Sequence, residues 1–489
     1  MRALYHTLVE QISKQHLGLV VWLCPETPGN IAGGLGMVAT HVPAKLAEHG
    51  WFVLQVGRGR PLEEQKKNQL ILRDPFMPDQ VYPRGKENEE TAIHSLAGFF
   101  ENISKELSGF LSEVRGGRSQ LSPDFPAVMI VHDHYCEPAA MRALDRLTAV
   151  GMKIIYEVHN EAVGAHLGYL LSEKPGVPTR TLKTEAERAV KDDFRHLREV
   201  SIFDRFKEGR IHVLLSVSDA MLRHYTIAYD LPEGNKFRAP NGIPADEFFP
   251  VSNEKIQANL AQGKSGTLCW IGRPVPEKGL TQLFSELPDE YRAFAALGFN
   301  SYVRSLVQKF SATRKLLVMA PESPTEIDAR VKVDTTTITE QKPSREEFKR
   351  VLETYDFSPY DLILFAFWMP KLDILSNVTV FVGNSSYEPS GIIQLEATAC
   401  GTPSIVSEQL TRDGYPRSGM TEYYPNKKGI VSIYPEEVGM LSSALRKFLE
   451  SEVLAEKRKE AQELRDKITW DYAIKTFWLN FLKKITEKN

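Results

Sequence analysis

Two glutamates stand eight positions apart in the stretch EPSGIIQLEATACGTP, residues 388–403. Glu388 precedes a short apolar segment and Glu396 lies inside it. Ser390 suits the start of a helix and Gly391 permits close approach of a ligand, while the glycine and proline that follow favour the helix end. The first amides of such a helix attract phosphate, and a carboxylate accepts hydrogen bonds from hydroxyl groups. The spacing therefore predicts a site for a ligand that carries both phosphate and hydroxyls.

A pair of cations precedes this stretch in the chain. Arg273 and Lys278, in the motif IGRPVPEKG, follow a predicted strand by a few residues. A guanidinium grips a diphosphate with two hydrogen bonds, and an ammonium acts on it as a point charge. Parallel sheets bind ligands at the carboxyl ends of their strands, which is where both residues would lie. Solvated surface charge is the alternative explanation for either pair taken alone.

Two series of short apolar segments supply the strands that would position these residues. The first series contains residues 17–24, 51–57, 127–133, 153–160 and 211–218, and the second contains 267–272, 316–320, 362–367, 378–385 and 403–406. Helical stretches separate them, which predicts two doubly wound α/β domains in succession. The polar stretch 251–266 is the predicted junction, and 323–349 is a predicted surface excursion.

Composition narrows the class of protein further. A chain of 489 residues with 42% hydrophobic and 25% charged residues is typical of two globular domains. A net charge of -3 disfavours nucleic-acid binding. Four scattered cysteines suit a reducing compartment and are expected to be buried thiols: Cys24, Cys136, Cys269 and Cys400. We find no transmembrane segment or signal-peptide layout and expect a cytoplasmic protein.

The ordered motifs AGGLG, VHDHY, YEVHN, APNGI, GRPVPEKG and EPSGIIQLEATACGTP resemble those of GT-B retaining glycosyltransferases. The resemblance is greatest to the glycogen/starch synthase-like enzymes and spans most of the chain. It implies two Rossmann-like domains that face each other across a cleft, with the last helix crossing back to the first domain. The implied boundaries are 1–250 with 470–489 for the N-terminal acceptor-side domain, and 251–469 for the C-terminal nucleotide-sugar-binding domain.

The resemblance also implies roles for individual residues. Arg273 and Lys278 would neutralise the nucleotide diphosphate, Glu396 would accept hydrogen bonds from the ribose, and Glu388 would lie beside the transferred sugar. The amides of the residues that follow Glu388 would complete the phosphate cradle: Ser390, Gly391 and Ile392. In the first domain, His159 would contact the donor sugar near its anomeric centre. The glycine loop and an acceptor-side acid would complete the site: Gly33, Gly34, Leu35 and Asp133.

The implied reaction transfers a hexosyl unit, with glucosyl as the first choice, from a nucleotide-diphosphate sugar such as UDP-glucose or ADP-glucose. The acceptor is a glycan or another hydroxyl compound, and the anomeric configuration is retained. No cofactor is expected beyond the donor. No metal is expected either, since the chain contains no Asp-x-Asp motif. His132 and His134 flank Asp133 and leave metal binding as a minority alternative, because no third ligand stands at a suitable spacing.

Two departures from the family pattern leave other functions open. Ile31 stands where synthase-like enzymes have a phosphate-binding lysine, and SEQLTRDGYP follows GTPSIV in place of a glycine-rich turn. A catalytically degenerate protein that binds nucleotide sugars or glycans as a sensor or scaffold is therefore the main alternative.

The segment GLGMVA, residues 34–39, also fits a dinucleotide fingerprint. However, it begins well beyond the end of the predicted strand, and the next strand ends without a ribose-binding acid.

Overall fold

A computed structural model describes residues 2–28, 34–59, 64–74, 86–159, 161–324 and 327–487. Its strands are β1 (Leu19–Leu23), β2 (Phe52–Arg58), β3 (Glu64–Lys66), β4 (Gln69–Asp74), β5 (Ala127–His132), β6 (Lys153–Val158), β7 (Val213–Ser216), β8 (Lys236–Arg238), β9 (Gly266–Ile271), β10 (Tyr291–Ala296), β11 (Leu316–Met319), β12 (Lys332–Asp334), β13 (Leu362–Phe365), β14 (Val380–Gly383), β15 (Ser404–Ser407) and β16 (Ile430–Ile433).

Helices connect most of these strands. They are α1 (Arg2–Gln11), α2 (Gly34–Glu48), α3 (Lys86–Arg115), α4 (Glu137–Ala149), α5 (Ala162–Glu173), α6 (Thr179–Val190), α7 (Phe194–Lys207), α8 (Asp219–Tyr229), α9 (Glu254–Ala261), α10 (Leu280–Glu286), α11 (Ser301–Phe310), α12 (Arg345–Thr354), α13 (Lys371–Asn377), α14 (Ile392–Ala399), α15 (Met440–Lys447), α16 (Ser451–Leu464), α17 (Trp470–Ala473) and α18 (Leu479–Thr486). Among these helices none is both long and apolar enough to cross a lipid bilayer.

The first compact unit comprises Met1–Ala162, Lys191–Gly242 and Trp470–Asn489. Within its described residues, strands pair in the order β3-β4-β2-β1-β5-β6-β7-β8, parallel throughout except for β3 with β4. The central strands β1 and β5 are buried along their whole length, as continuous apolar segments require in a parallel sheet. The strand order reverses between β1 and β5, which we call the first reversal point.

The second compact unit comprises Val163–Val190 and Ile243–Thr469. Its described strands pair in the order β12-β11-β13-β10-β9-β14-β15-β16, and all neighbours are parallel. The strand order reverses between β9 and β14, which we call the second reversal point. Both units are therefore α/β assemblies built on a parallel or nearly parallel sheet, as the sequence predicts.

The division into units differs from the expected boundaries in two places. Residues 163–190 group with the second unit, because Ser172 Oγ lies 2.8 Å from Ser386 Oγ and Asp413 Oδ2 accepts the N–H of Thr179 at 2.7 Å. The second unit also begins at Ile243, whose N–H donates to the carbonyl of Ile468 at 2.9 Å. The second unit therefore includes a segment that lies far before the predicted junction at 251–266, and its main part begins eight residues before that junction.

The last helical segment packs on the first unit. After α17 a π-helical turn, Ile474–Trp478, continues directly into α18. Trp470, Ile474 and Trp478 join the apolar cluster that also contains Val20 and Trp22 of β1. The indole rings of Trp22 and Trp478 lie 5.6 Å apart between centroids. The helical spacing of large apolar residues in this segment therefore reflects burial against the first sheet.

The stretch 323–349 is more structured than the sequence indicates. It contains the edge strand β12, whose three residues pair with β11, and the start of α12. Thr336 and Thr337 donate backbone and hydroxyl hydrogen bonds to Asp334 at the end of that strand. A short polar edge strand has no apolar periodicity from which it could be predicted. The prediction of a surface excursion without regular structure was therefore incomplete.

Candidate active site

Two loops meet at the second reversal point. After β9 the chain passes through a 3-10 turn, Pro276–Lys278, and then Gly279 at φ 75°. A Cβ atom at Gly279 would lie 2.4 Å from the carbonyl oxygen of Asn384, in the loop after β14. Only glycine allows this approach. Since ligands bind parallel sheets where the strand order reverses, this pair of loops is the candidate ligand site of the second unit.

Hydrogen bonds fix the two loops to each other. The Asn384 side-chain amide donates to the carbonyl of Gly279 at 2.8 Å, and the N–H of Ser386 donates to the carbonyl of Glu277 at 2.7 Å. Above these bonds, Lys278 Nζ lies 2.7 Å from Glu388 Oε2. Their side chains are 15% and 20% exposed, so solvent screens this ion pair only in part. The structure thus brings together two of the residues that the sequence analysis selected.

The helix after Glu388 begins one residue later than the sequence indicates. Gly391, at φ 74° and ψ 69°, is the N-cap of α14. The expectation that Ser390 caps the helix was wrong, because the Ser390 hydroxyl instead lies 3.1 Å from the hydroxyl of Tyr423. The left-handed backbone at Gly391 turns the chain into the helix. The first amides of α14, including that of Ile392, have no intrahelical acceptor and can bind an anion.

Glu396 lies inside α14 and is paired with a lysine that the sequence analysis missed. Its carboxylate is 1% exposed, and Lys371 Nζ lies 2.6 Å from Oε1 while also contacting Oε2. Burial raises the pKa of Glu396 above its ordinary value, and the attraction of Lys371 opposes that rise. Lys371 is the first residue of α13, at the carboxyl-end side of β13, and its ammonium also lies 5.2 Å from the ring centre of Phe248. That position after a strand is the signal that could have identified it.

Arg273 lies two residues after β9 and is exposed to solvent. Its carbonyl accepts the N–H of Val275 at 2.9 Å, which shapes the turn toward Lys278. The two ion pairs described above join Lys278 to Glu388 and Lys371 to Glu396, and neither includes Arg273. The structure therefore places Arg273 on the loop after β9, with its guanidinium outside both pairs.

The first unit carries its predicted residues beside the first reversal point. Gly34 and Leu35 open α2, which follows β1 in the chain. Gly34 is exposed, and Leu35 packs partly buried against the cluster that contains Trp22. Gly33, Ile31 and Asn160 of the predicted motifs lie outside the described residues.

Asp133 follows β5 with an unusual backbone. Its φ of 58° and ψ of 164° lie in a region that costs a non-glycine residue about 1–3 kcal/mol. One carboxylate oxygen accepts the N–H of His134 at 3.0 Å and lies 3.0 Å from the Nδ1 atom of the same histidine. Burial acts to raise the pKa of Asp133, but His134 and the more distant Arg195 hold it well below its ordinary range. Asp133 is thus a fixed, buried negative charge.

His159 follows β6 and meets a second histidine and a glutamate. His159 Nε2 lies 3.0 Å from His132 Nδ1 and 3.5 Å from Glu157 Oε1, and His132 Nδ1 lies 3.4 Å from Glu157 Oε2. Burial lowers the pKa of His159 to about 4, against the opposing attraction of Asp133. Burial lowers the pKa of His132 well below its ordinary value and raises that of Glu157 to about 8. His159 is therefore neutral at neutral pH.

His132 and His134 flank Asp133 in the sequence as possible metal ligands, but the structure groups them differently. His134 turns to Asp133, while His132 joins Glu157 and His159 in a group with the ligand types and spacing that suit a metal ion. Glu157 pairs with His132 across the β5–β6 ladder, and His159 stands two residues further along. The alternation of side chains in a strand places Glu157 and His159 on one face, so the sequence held this signal.

Comparison with solved structures identifies the fold. Sucrose-phosphate synthase from Thermosynechococcus elongatus matches with a TM-score of 0.63 and 16% identity, over 96% of this chain and 100% of that one. The catalytic domain of starch synthase IV from Arabidopsis thaliana, bound to ADP and acarbose, gives 0.57 and 12% over 97% and 100%. Anabaena HepE in complex with UDP-glucose gives 0.51 and 12% over 95% and 99%. The chain has the GT-B fold of these glycosyltransferases.

Comparison of sequences adds a shorter match. Glycogen synthase of Mycobacterium tuberculosis (strain ATCC 25618 / H37Rv) is 33% identical over 101 residues. This match covers 21% of the present chain and 22% of the relative, so the chain aligns with about a fifth of the length of the curated protein. No family model matches the sequence.

Proposed function

We propose that this chain is a retaining glycosyltransferase that moves a hexosyl unit, with glucosyl as the first choice, from a nucleotide-diphosphate sugar to a carbohydrate or other hydroxyl acceptor. The observation that carries the proposal is the contact between Lys278 and Glu388 at the second reversal point. A cation for phosphate and an acceptor for sugar hydroxyls stand there side by side. Both adjoin the start of α14.

The first task of such a site is to stabilise the leaving group. Cleavage of a glycosyl–phosphate bond places negative charge on the departing diphosphate, and fixed positive groups lower the barrier where that charge develops. Lys278 supplies an ammonium that the loop contacts already hold in place. The first amides of α14 supply neutral donors. Arg273, exposed on the same loop, is the guanidinium that the proposal assigns to the diphosphate.

The second task is to recognise hydroxyl groups. Glu388 keeps one carboxylate oxygen outside its contact with Lys278, and this oxygen is assigned to the transferred sugar. Glu396 is assigned to the ribose. A carboxylate offers about four acceptor directions, so Glu396 can accept from a diol while it retains its contact with Lys371. Lys371 thereby becomes a residue that orients Glu396.

The first unit is assigned the sugar and the acceptor. A neutral His159 can exchange hydrogen bonds with sugar hydroxyls without repelling the positive character that develops on the sugar ring. In same-face transfer the C1–O bond to phosphate breaks while a bond from C1 to the acceptor oxygen forms, and the acceptor proton passes to the departing phosphate. No protein nucleophile and no metal are needed for these steps. Asp133, as a fixed negative charge, is assigned to acceptor hydroxyls.

A panel of donors tests the proposal. Purified protein is incubated with UDP-glucose, ADP-glucose and GDP-mannose, with EDTA present, and nucleotide release is measured with and without oligosaccharide acceptors. UDP-glucose and ADP-glucose are the leading choices, since the similar HepE and starch synthase structures hold UDP-glucose and ADP. Release that depends on acceptor, with an α-linked product from an α-linked donor, is the expected result. An inverted product would refute the retaining mechanism.

A nucleotide-sugar or glycan sensor is the second candidate. One feature of the sequence favours it: Ile31 stands in place of the expected phosphate-binding lysine. The same panel separates the two functions. Donor binding without transfer or slow hydrolysis for any donor would establish the sensor and exclude the transferase.

A further inference from the structure

We propose that His132, Glu157 and His159 form a binding site for one Zn²⁺ ion or a similar late first-row divalent ion. The three residues come from neighbouring strands: His132 ends β5, Glu157 stands opposite it in β6, and His159 follows two positions later. Two imidazoles and one carboxylate are a ligand set that Zn²⁺ uses in proteins. This site shares His159 with the function proposed above, but the binding of an ion does not depend on that function.

The distances between the ligand atoms fit a tetrahedral ion. A metal with bonds of 2.0–2.1 Å to nitrogen and oxygen separates its ligand atoms by about 3.3 Å. The two imidazole nitrogens, His132 Nδ1 and His159 Nε2, lie 3.0 Å apart. Glu157 reaches His132 Nδ1 at 3.4 Å through Oε2 and His159 Nε2 at 3.5 Å through Oε1, so its two contacts use different oxygens. With one atom from each residue, the three ligand atoms lie within 4.8 Å of one another, and a rotation of the carboxylate would bring one oxygen toward both nitrogens.

The burial of Glu157 also favours a bound cation. Glu157 is 1% exposed, and its ion-pair partners among the described residues are the two imidazoles alone. The Oε2 atom of Glu157 has no hydrogen-bond partner in the described part of the chain. A buried carboxylate in this state is costly unless it holds a proton or a metal ion.

The surroundings define how an ion would sit. His132 would bind through Nδ1 and keep its proton on Nε2, which is buried and has no hydrogen-bond partner among the described residues. The His132 ring packs against Trp22, with the ring centroids 4.2 Å apart. His159 is the most exposed member of the group, at 12% of its side chain. Water can therefore supply the fourth ligand from that side. Binding would displace any proton on Glu157 to solvent.

An ion in this site would occupy the Nε2 atom of His159. If the proposed function holds, Zn²⁺ would then inhibit transfer by removing that nitrogen from the sugar. Only this consequence rests on the proposed function. The metal site itself is tested by binding.

The test uses the full-length chain, freed of metal with EDTA, desalted and titrated with Zn²⁺ and with Co²⁺. We expect one equivalent of either ion per chain and the intense visible absorption of four-coordinate Co²⁺. Glu157→Gln and His132→Ala should each weaken binding by about 100-fold or more. Glu137→Gln removes another buried carboxylate of the same unit, hydrogen-bonded to Ser201, and should bind the ions like the wild type. Circular dichroism establishes that each variant is folded.

X-ray absorption of the Zn²⁺-loaded wild type keeps the proposal testable if a variant fails to fold. Scattering from two imidazoles and only nitrogen or oxygen ligands at about 2.0–2.1 Å is expected. Absence of stoichiometric binding, or a sulfur ligand at about 2.3 Å, would overturn the site. Equal binding by a folded Glu157→Gln protein would overturn it as well, and would make the group a hydrogen-bonded network alone.

Discussion

The two reversal points use different chemistry. In the second unit, each candidate carboxylate is held by a lysine, Lys278 for Glu388 and Lys371 for Glu396. Beside the first reversal point, histidines are the direct side-chain partners of Asp133 and Glu157. An ammonium group is a compact positive charge, which suits a ligand that brings its own negative charge. Buried neutral imidazoles suit an uncharged ligand or a metal ion.

Under the proposed function, this difference assigns the diphosphate to the second unit and the sugar to the first. The second unit has the cations and amides that a diphosphate requires, and the first unit has groups whose charge state is set by burial. The same α/β architecture therefore hosts two kinds of site, which differ in the side chains at the strand ends. Substitutions in the second unit test this comparison.

The largest expected effect is on turnover. Lys278→Ala should lower the rate of nucleotide release by about 100-fold or more, because the substitution removes the ammonium that we assign to the leaving diphosphate. The matched control is Lys264→Ala. Lys264 pairs with Asp361 at 2.9 Å, with exposures of 16% and 23%, but it precedes β9 and so lies at the other end of the sheet. If both variants lost a comparable share of the rate of nucleotide release, the loss would follow from breaking an ion pair and not from the position of Lys278 at the second reversal point.

The next effect is on the backbone contact that joins the two loops. Gly279→Ala should lower the free energy of unfolding by about 2 kcal/mol or more, because the residue has φ 75° and its new Cβ would meet Asn384. Gly263→Ala is the control, since Gly263 has the same φ of 75° with open space around its Cβ position. Chemical denaturation measures both. If the two variants lose equal stability, the close approach of the loops contributes nothing.

A smaller effect is expected on donor affinity. Glu396→Gln should weaken binding of the preferred nucleotide sugar by about 10-fold, because a neutral amide replaces a charged acceptor for the ribose hydroxyls. Calorimetry measures this change. Glu460→Gln alters a lysine-paired carboxylate in α16, 2.7 Å from Lys457, and should leave the affinity unchanged. Unchanged affinity in Glu396→Gln would remove Glu396 from the donor site.

The smallest effect is a dependence on pH. The folded pKa of Glu396 is raised, so its carboxylate is lost at a higher pH than that of an ordinary glutamate. Affinity for UDP-glucose, whose diphosphate diester does not titrate in this range, should therefore be full at neutral pH. It should fall by a few-fold as the pH drops toward the ordinary glutamate pKa of about 4.3. Glu396→Gln should show no such fall, and an equal fall in both proteins would assign the titration to another group.

Several features of the fold could be predicted from the sequence because they follow from local patterns. The buried strands at the centre of each sheet are continuous apolar segments, and β1, β5, β9 and β14 were all found. β10 was missed, since YRAFAA has an arginine within it. That arginine, Arg292, is buried and donates to the carbonyls of Leu260 and Tyr360. A buried arginine satisfied by distant carbonyls leaves no periodic signal.

The candidate site residues could likewise be predicted only where a local motif contains them. The contact of Lys278 with Glu388 could be expected, since the motifs carry both residues at adjacent strand ends. Lys371 could not be selected from charge alone, because its partner Glu396 stands 25 positions away and their contact depends on the packing of α13 near α14. Glu157 was hidden among apolar neighbours in the motif YEVHN, and only the register of β6 with β5 reveals its partner. Contacts between residues far apart in the chain could not be predicted from the sequence.

The central claim is that the second reversal point binds the diphosphate of a nucleotide sugar. The most direct test is calorimetric titration of UDP-glucose, ADP-glucose and GDP-mannose into the wild type, Lys278→Ala and Lys264→Ala. The account predicts that at least one donor binds the wild type and Lys264→Ala equally, and binds Lys278→Ala at least about 10-fold more weakly. Equal binding of that donor by all three proteins, or binding of none of the three donors by the wild type, would contradict it.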